Sequence, residues 1–205
     1  MIRALAGSVV AVLVIGGTAL AEDGPLPDLF DVTGVNSNDG GNVRSAPVAD
    51  AEVIGSLDHD ARDIEIVAVE DGWGRVNQGE RSGWAAMRFL TRKDATWQAG
   101  GVPSTLTCFG TEPFWSLGFK GDWVTWSTPD EMLEVSDVAV LGGEIAGDIR
   151  RGLSGAGEGV TVHAVITPGT CSDGMSDRGF GRTAAVILDE GEGPRLLHGC
   201  CSIAP

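Results

Sequence analysis

Glu112, His163, Cys171, Asp173, Ser176, Asp177 and His198 are the residues of this chain best suited to chemistry. Carboxylates near an imidazole can exchange protons or hold a metal ion, and a serine or thiolate activated by a neighbouring base can act as a nucleophile. Four of them fall within Cys171-Ser172-Asp173-Gly174-Met175-Ser176-Asp177-Arg178, which has little to bury. No catalytic spacing links the set, and the local signals are those of a turn. Asp173-Gly174 is turn chemistry, with Ser172 or Asp173 able to accept from backbone N–H groups ahead of it. Asp177 and Arg178 offer an ion pair, local or between domains. We read the stretch as a structural loop and assign no catalytic residue. Glu112, Asp173, Asp177 and Arg178 are kept as candidate ligand contacts. Glu112-Pro113 reads as a strand entry and the two histidines as structural.

No metal centre is expected. The four cysteines lack the C-x2-C spacing of zinc sites. Asn36-Ser37-Asn38-Asp39-Gly40-Gly41 has the donors of a calcium loop, but the twelfth position is Pro47 where a bidentate glutamate is needed. It reads as a long loop whose Asn38 and Asp39 are candidate ligand contacts. Gly152 to Gly159, GLSGAGEG, has neither a nucleophile-elbow frame nor a helix to open, so it reads as a hairpin connection and no cofactor is implied.

The elements that must position these residues begin after an address. Arg3 precedes an uncharged run from Ala4 to Thr18, and Ala19-Leu20-Ala21 has the small-x-small form of a signal-peptidase site. The run is shorter than the about 20 residues that span a bilayer. The expectation is a signal peptide over 1–21 and a periplasmic or secreted product. Arg3 is the sole charge in that segment, so its removal takes the net charge from −15 to −16. Such acidity argues against nucleic acid and against anionic lipid surfaces. In an oxidising compartment Cys108, Cys171, Cys200 and Cys201 read as two disulfides. A bond between the neighbours Cys200 and Cys201 is strained, so each should join Cys108 or Cys171, in either order.

All cysteines lie in the second half, and the polar stretch 93–104 contains Gly-Gly and Pro. This predicts a leader over 22–31, a first domain over 32–92, a linker over 93–104 and a second domain over 105–205. Both domains read as all-β. In the first, short runs at 51–57, 64–70, 73–77 and 82–86 alternate and are separated by turn residues. In the second, 115–119, 123–126, 160–166, 183–188 and 196–203 have strand character, and the domain is expected to be a disulfide-containing barrel or sandwich.

Asn42-Val43-Arg44-Ser45-Ala46-Pro47, Val53-Ile54-Gly55-Ser56-Leu57, Asp71-Gly72-Trp73-Gly74-Arg75-Val76 and Ser82-Gly83-Trp84-Ala85 resemble, in order and spacing, the bacterial SH3-like domain. The resemblance covers 32–92 and implies a small barrel that binds cell-wall peptides, glycans or proteins. The groove tyrosines frequent in that family have no counterpart, since the chain contains no Tyr. Trp73 and Trp84 are the candidate ligand-stacking residues. Cys108-Phe109-Gly110-Thr111-Glu112-Pro113-Phe114-Trp115, the Cys171 to Arg178 stretch and Gly199-Cys200 are similar to motifs of a family of bacterial envelope proteins with no assigned activity. The chain departs from that family at Gly179-Phe180-Gly181, where relatives tend to have Tyr-Pro.

The function these features predict is non-catalytic binding of a murein or envelope-protein ligand by a monomer without cofactor. A wall hydrolase carrying an SH3-like targeting module, and a periplasmic inhibitor or accessory protein, are the alternatives.

Overall fold

The computed structural model describes residues 24–204 except 95, 98, 99, 122, 146, 147 and 158. The expected signal peptide lies outside the described residues. Eight short strands form the first unit: β1 (Asp28–Val32), β2 (Gly40–Arg44), β3 (Val53–Asp58), β4 (Ile64–Ile66), β5 (Ala68–Glu70), β6 (Trp73–Gln78), β7 (Arg81–Ala86) and β8 (Leu90–Arg92). They make a three-stranded sheet, β4-β1-β8, and a five-stranded sheet, β3-β2-β7-β6-β5. Asp71-Gly72 closes the β5–β6 hairpin with both residues at positive φ, 47° and 79°, the backbone that twists a two-residue turn in the same sense as its strands. Phe30, Val32, Val43, Leu57, Ile66, Val76 and Ala85 form the small core between the sheets.

The second unit is a closed antiparallel barrel of eight strands: β9 (Thr107–Thr111), β10 (Phe114–Lys120), β11 (Trp123–Ser127), β12 (Met132–Gly142), β13 (Arg151–Gly157), β14 (Val160–Cys171), β15 (Phe180–Asp189) and β16 (Arg195–Ser202). Each strand pairs with the next in sequence, and β16 returns to β9. The inward faces follow the period of two: Trp115, Leu117 and Phe119 on β10, Val160, Val162, Ala164 and Ile166 on β14, and Ala184, Val186 and Leu188 on β15 are all buried. Each such side chain contributes about 1.5 to 3 kcal/mol of transfer free energy, an upper bound because unfolded chains already bury part of their surface.

β13 occupies most of the stretch expected to be a hairpin connection. Its glycines serve close packing, because a Cβ on Gly157 would come within 2.2 Å of the Glu134 carbonyl oxygen across the pair. Gly159, beyond the end of β13, has φ 75°.

The cysteines pair as Cys108–Cys201 and Cys171–Cys200. The first bond lies where β9 meets β16, and Cys201 is the register partner of Cys108 in a seam of three residue pairs. It therefore fastens the barrel at its shortest ladder. The second ties β16 to the end of β14, just ahead of the turn-rich loop 172–179.

The stretch read as a leader supplies β1, and Trp97 and Val102, in the stretch read as a linker, pack against the barrel core. Leu29 of β1 belongs to the barrel core, and the indole of Trp97 packs against that core while its Nε1 donates to the Pro27 carbonyl at 2.9 Å. A Cβ on Gly181 would meet Pro27 Cδ at 2.8 Å, so glycine at this point of β15 lets the first unit approach the barrel wall. The first unit thus covers one mouth of the barrel. Beneath it Arg182, fully buried, lies 3.7 Å from the centre of the Trp97 ring and donates Nη1 to the Ile149 carbonyl. Burial, reinforced by the neighbouring Arg151 guanidinium, lowers Arg182 to about 10. A weakly hydrated planar guanidinium on an indole face is the form of positive charge that such a site tolerates best.

Candidate functional site

Two concave surfaces gather the sequence-expected contacts. The first is a cleft of about 350 Å³ in the N-terminal unit, between the 34–42 loop and the segment from Ala85 to Leu90. Trp73, half-buried, stands in its wall with Ala86, its register partner. Arg44, Arg88, Asn36, Asn42 and Asp39 supply the polar lining. Asp39 Oδ1 accepts from the Gly40 N–H at 2.8 Å, while the Asp39 N–H donates to the Asn36 carbonyl at 2.9 Å, which fixes the loop as a tight turn. Asn38 is exposed on that turn and does not line the cleft. Trp84 does not line it either. It pairs with Arg44 on one side and Arg75 on the other, on the same outward sheet face as Trp73. The Arg44 guanidinium donates to the Ala51 carbonyl at 2.7 Å, which leaves further N–H groups for an anion.

The second surface lies on the barrel, along the β9–β10 hairpin. A groove of about 460 Å³ is lined by Phe109, Phe114, Trp115, Pro129, Met175 and Glu80 among others, and a smaller depression of about 230 Å³ adds Glu112, Ser172 and His198. The two share Phe109, Gly110, Thr111 and Asp173. Glu112, Asp173 and His198 therefore come together on one surface, while His163 projects outward from β14. Among the described residues, no three of His, Cys, Asp and Glu are placed to hold a metal ion.

Asp173 spends its carboxylate on its own loop. Oδ1 accepts from the N–H groups of Met175 and Ser176 at 3.0 and 2.9 Å, and Oδ2 from the Ser176 hydroxyl at 2.7 Å. Partial burial raises its pKa, but the Ser176 and Met175 bonds, with the charge of Arg178, outweigh that and hold the carboxyl below its ordinary range. A group so engaged is a poor proton acceptor at neutral pH. Thr111 Oγ1 donates to the Asp173 carbonyl at 2.8 Å, which ties the loop to β9.

Asp177 lies elsewhere, at the junction of the two units. Its N–H donates to the Glu80 carbonyl at 2.9 Å and its carbonyl accepts from the Ser82 N–H at 3.1 Å, a parallel bridge that adds the loop to the beginning of β7, on the side that β2 pairs only from Trp84 on. Two residues on, Gly179 accepts from Asn77 Nδ2 at 2.9 Å and donates to Ser82 Oγ, also at 2.9 Å. Among the described residues no ion pair joins Asp177 to Arg178. The Arg178 guanidinium instead lies 5.0 Å from the Phe180 ring centre. The C-x-D-G-M-S-D-R stretch is thus the joint between the units. Sequence reasoning offered an ion pair here, local or between domains, and missed the backbone bridge, because a single bridge leaves no periodicity to read.

Comparison with protein families, curated proteins and solved structures finds no match to this chain.

Proposed function

We propose that the chain is an envelope binding protein, exported to an oxidising compartment, whose SH3-like N-terminal unit takes a short extended murein peptide or glycan into the cleft beside Trp73. The observation that carries this reading is the pairing, in one 350 Å³ cleft, of a half-exposed indole with Arg44 and Arg88. An indole gives a flat apolar face with an N–H at its rim, and guanidinium groups bind carboxylates in a bidentate fork. Murein stem peptides and N-acylated muramyl sugars carry such carboxylates next to small apolar groups. The order and antiparallel pairing of β2, β3, β5, β6 and β7 support the SH3-like reading. Two disulfides agree with the oxidising address.

Co-sedimentation of the full-length oxidised protein with purified murein tests the proposal. Retention should fall at least tenfold in Trp73→Ala, and Arg44→Gln should weaken it further in low salt. Absence of retention, or retention indifferent to Trp73→Ala, would overturn it.

A further inference from the structure

We propose that the groove beside the β9–β10 hairpin is a second, independent docking surface, and that its occupant is a cationic protein segment presenting an apolar side chain flanked by Lys or Arg. The groove is apolar at its centre. Phe114 and Met175 are 53% and 69% exposed, with Pro129 beside them, an arrangement that water solvates badly. Its rim has one sign of charge: Glu80, Glu112 and Asp173 line the two connected depressions, and no Lys or Arg does. The N-terminal cleft differs, with Arg44 and Arg88 beside Asp39.

A protein of net charge −15 that carries an acidic rim around exposed apolar side chains attracts a basic partner over distance and holds it by burial. The surface is also rigid before any partner arrives. The Thr111–Asp173 bond and the Asp173 bonds to Met175 and Ser176 join residues of its lining, and the Asp177 N–H ties the same loop to Glu80. Ordering cost on binding is correspondingly small. Glu80 comes from the N-terminal unit and the rest from the barrel, so the first unit contributes one of the acidic lining residues.

The test uses the full-length oxidised protein labelled with 13C at its methionine methyl groups, titrated with an acetylated, amidated Lys-Leu-Lys-Phe-Lys peptide and its Glu-Leu-Glu-Phe-Glu counterpart. The Met175 resonance should shift saturably with the basic peptide and stay still with the acidic one. Met87, partly buried against the core of the other unit, should not respond. Phe114→Ser and the pair Glu80→Gln with Glu112→Gln should each weaken binding at least fivefold, both being surface changes that leave the barrel interior untouched. Trp73→Ala should leave this titration unchanged, which separates it from the murein experiment. An equal response to the acidic peptide, an equal response to spermine, or indifference to Phe114→Ser would overturn the proposal.

Discussion

Ser202 donates its hydroxyl to Glu65 at 2.5 Å across 137 positions of sequence, and Ile203 adds its backbone N–H to the same carboxylate at 3.2 Å. One buried acid on β4 therefore receives the end of the last barrel strand.

Glu65 gives that contact a pH dependence. Burial raises its pKa above the ordinary 4.5, and the bonds from Ser202, Ile203 and Ala204 with the charge of Arg178 offset only part of this. A folded-state pKa above the unfolded one means that protonation favours the fold. The stabilisation is complete below pH 4.5 and is lost as the pH rises through the folded value. Glu65→Gln keeps an acceptor for Ile203 and an N–H for Ser202 without the charge. Urea midpoints should show the Gln variant gaining on the parent as the pH rises above 4.5. A gap between the two that does not change with pH would count against this account.

Asp173→Ala removes three bonds that shape the joint. The expected loss is about 1 to 2 kcal/mol, comparable to removal of a helix cap. Hydrogen exchange at Asp177 and Ser82 should accelerate with it, because their bridge depends on the loop holding its course. Exchange that quickens across the whole barrel instead would place the damage elsewhere.

The two disulfides should differ in weight. Cys108 and Cys201 are 93 positions apart and Cys171 and Cys200 are 29 apart. By loop-closure entropy the first contributes about 4 to 5 kcal/mol and the second about 3 to 4. Paired Cys→Ser variants compared by guanidinium denaturation check the order, and the Cys108–Cys201 pair should be the more costly to lose.

Arg182 is buried, and two of its guanidinium nitrogens, Nε and Nη2, have no hydrogen-bond partner among the described residues. Replacing a desolvated charge by an apolar side chain of similar length is commonly neutral or stabilising. Arg182→Met should therefore change stability by less than about 1 kcal/mol, whereas Arg182→Ala, which leaves a void against Trp97, should cost about 3. Thermal denaturation of the two variants distinguishes charge from packing.

The legible parts of this molecule were those with strict alternation. The strands around Trp73, Trp115, Val160 and Ala184 all showed it, because each has one face on a core, whereas the run 64–70 divides into β4 and β5 in different sheets and its Glu65 is buried against the barrel. β13 escaped notice because close strand approach demanded glycine, and glycine reads as turn. β16 was half legible. Leu197 faces inward and His198 outward as alternation requires, but Cys200 is buried as well, since the disulfide to Cys171 covers the outer face there. Of the candidate contacts, Trp73 and Asp39 met in one cleft and Glu112 and Asp173 on one groove. Asp177 went to the joint through its backbone, which no side-chain pattern announces.

The covered barrel mouth bears on the order in which the chain can mature. The sheets of the first unit are complete once Arg92 has been synthesised, and their pairings are mostly local. The barrel is not: its seam joins residues 107–109 to residues 200–202. Non-local closure of this kind is slow. Until β16 arrives, Glu65 remains hydrated, Leu29 and Trp97 face an open cylinder, and β9 and β15 each have a bare edge. A nascent chain stalled before residue 195 would thus combine a finished small unit with an adhesive incomplete one, and it is this intermediate that a holding chaperone would have to recognise.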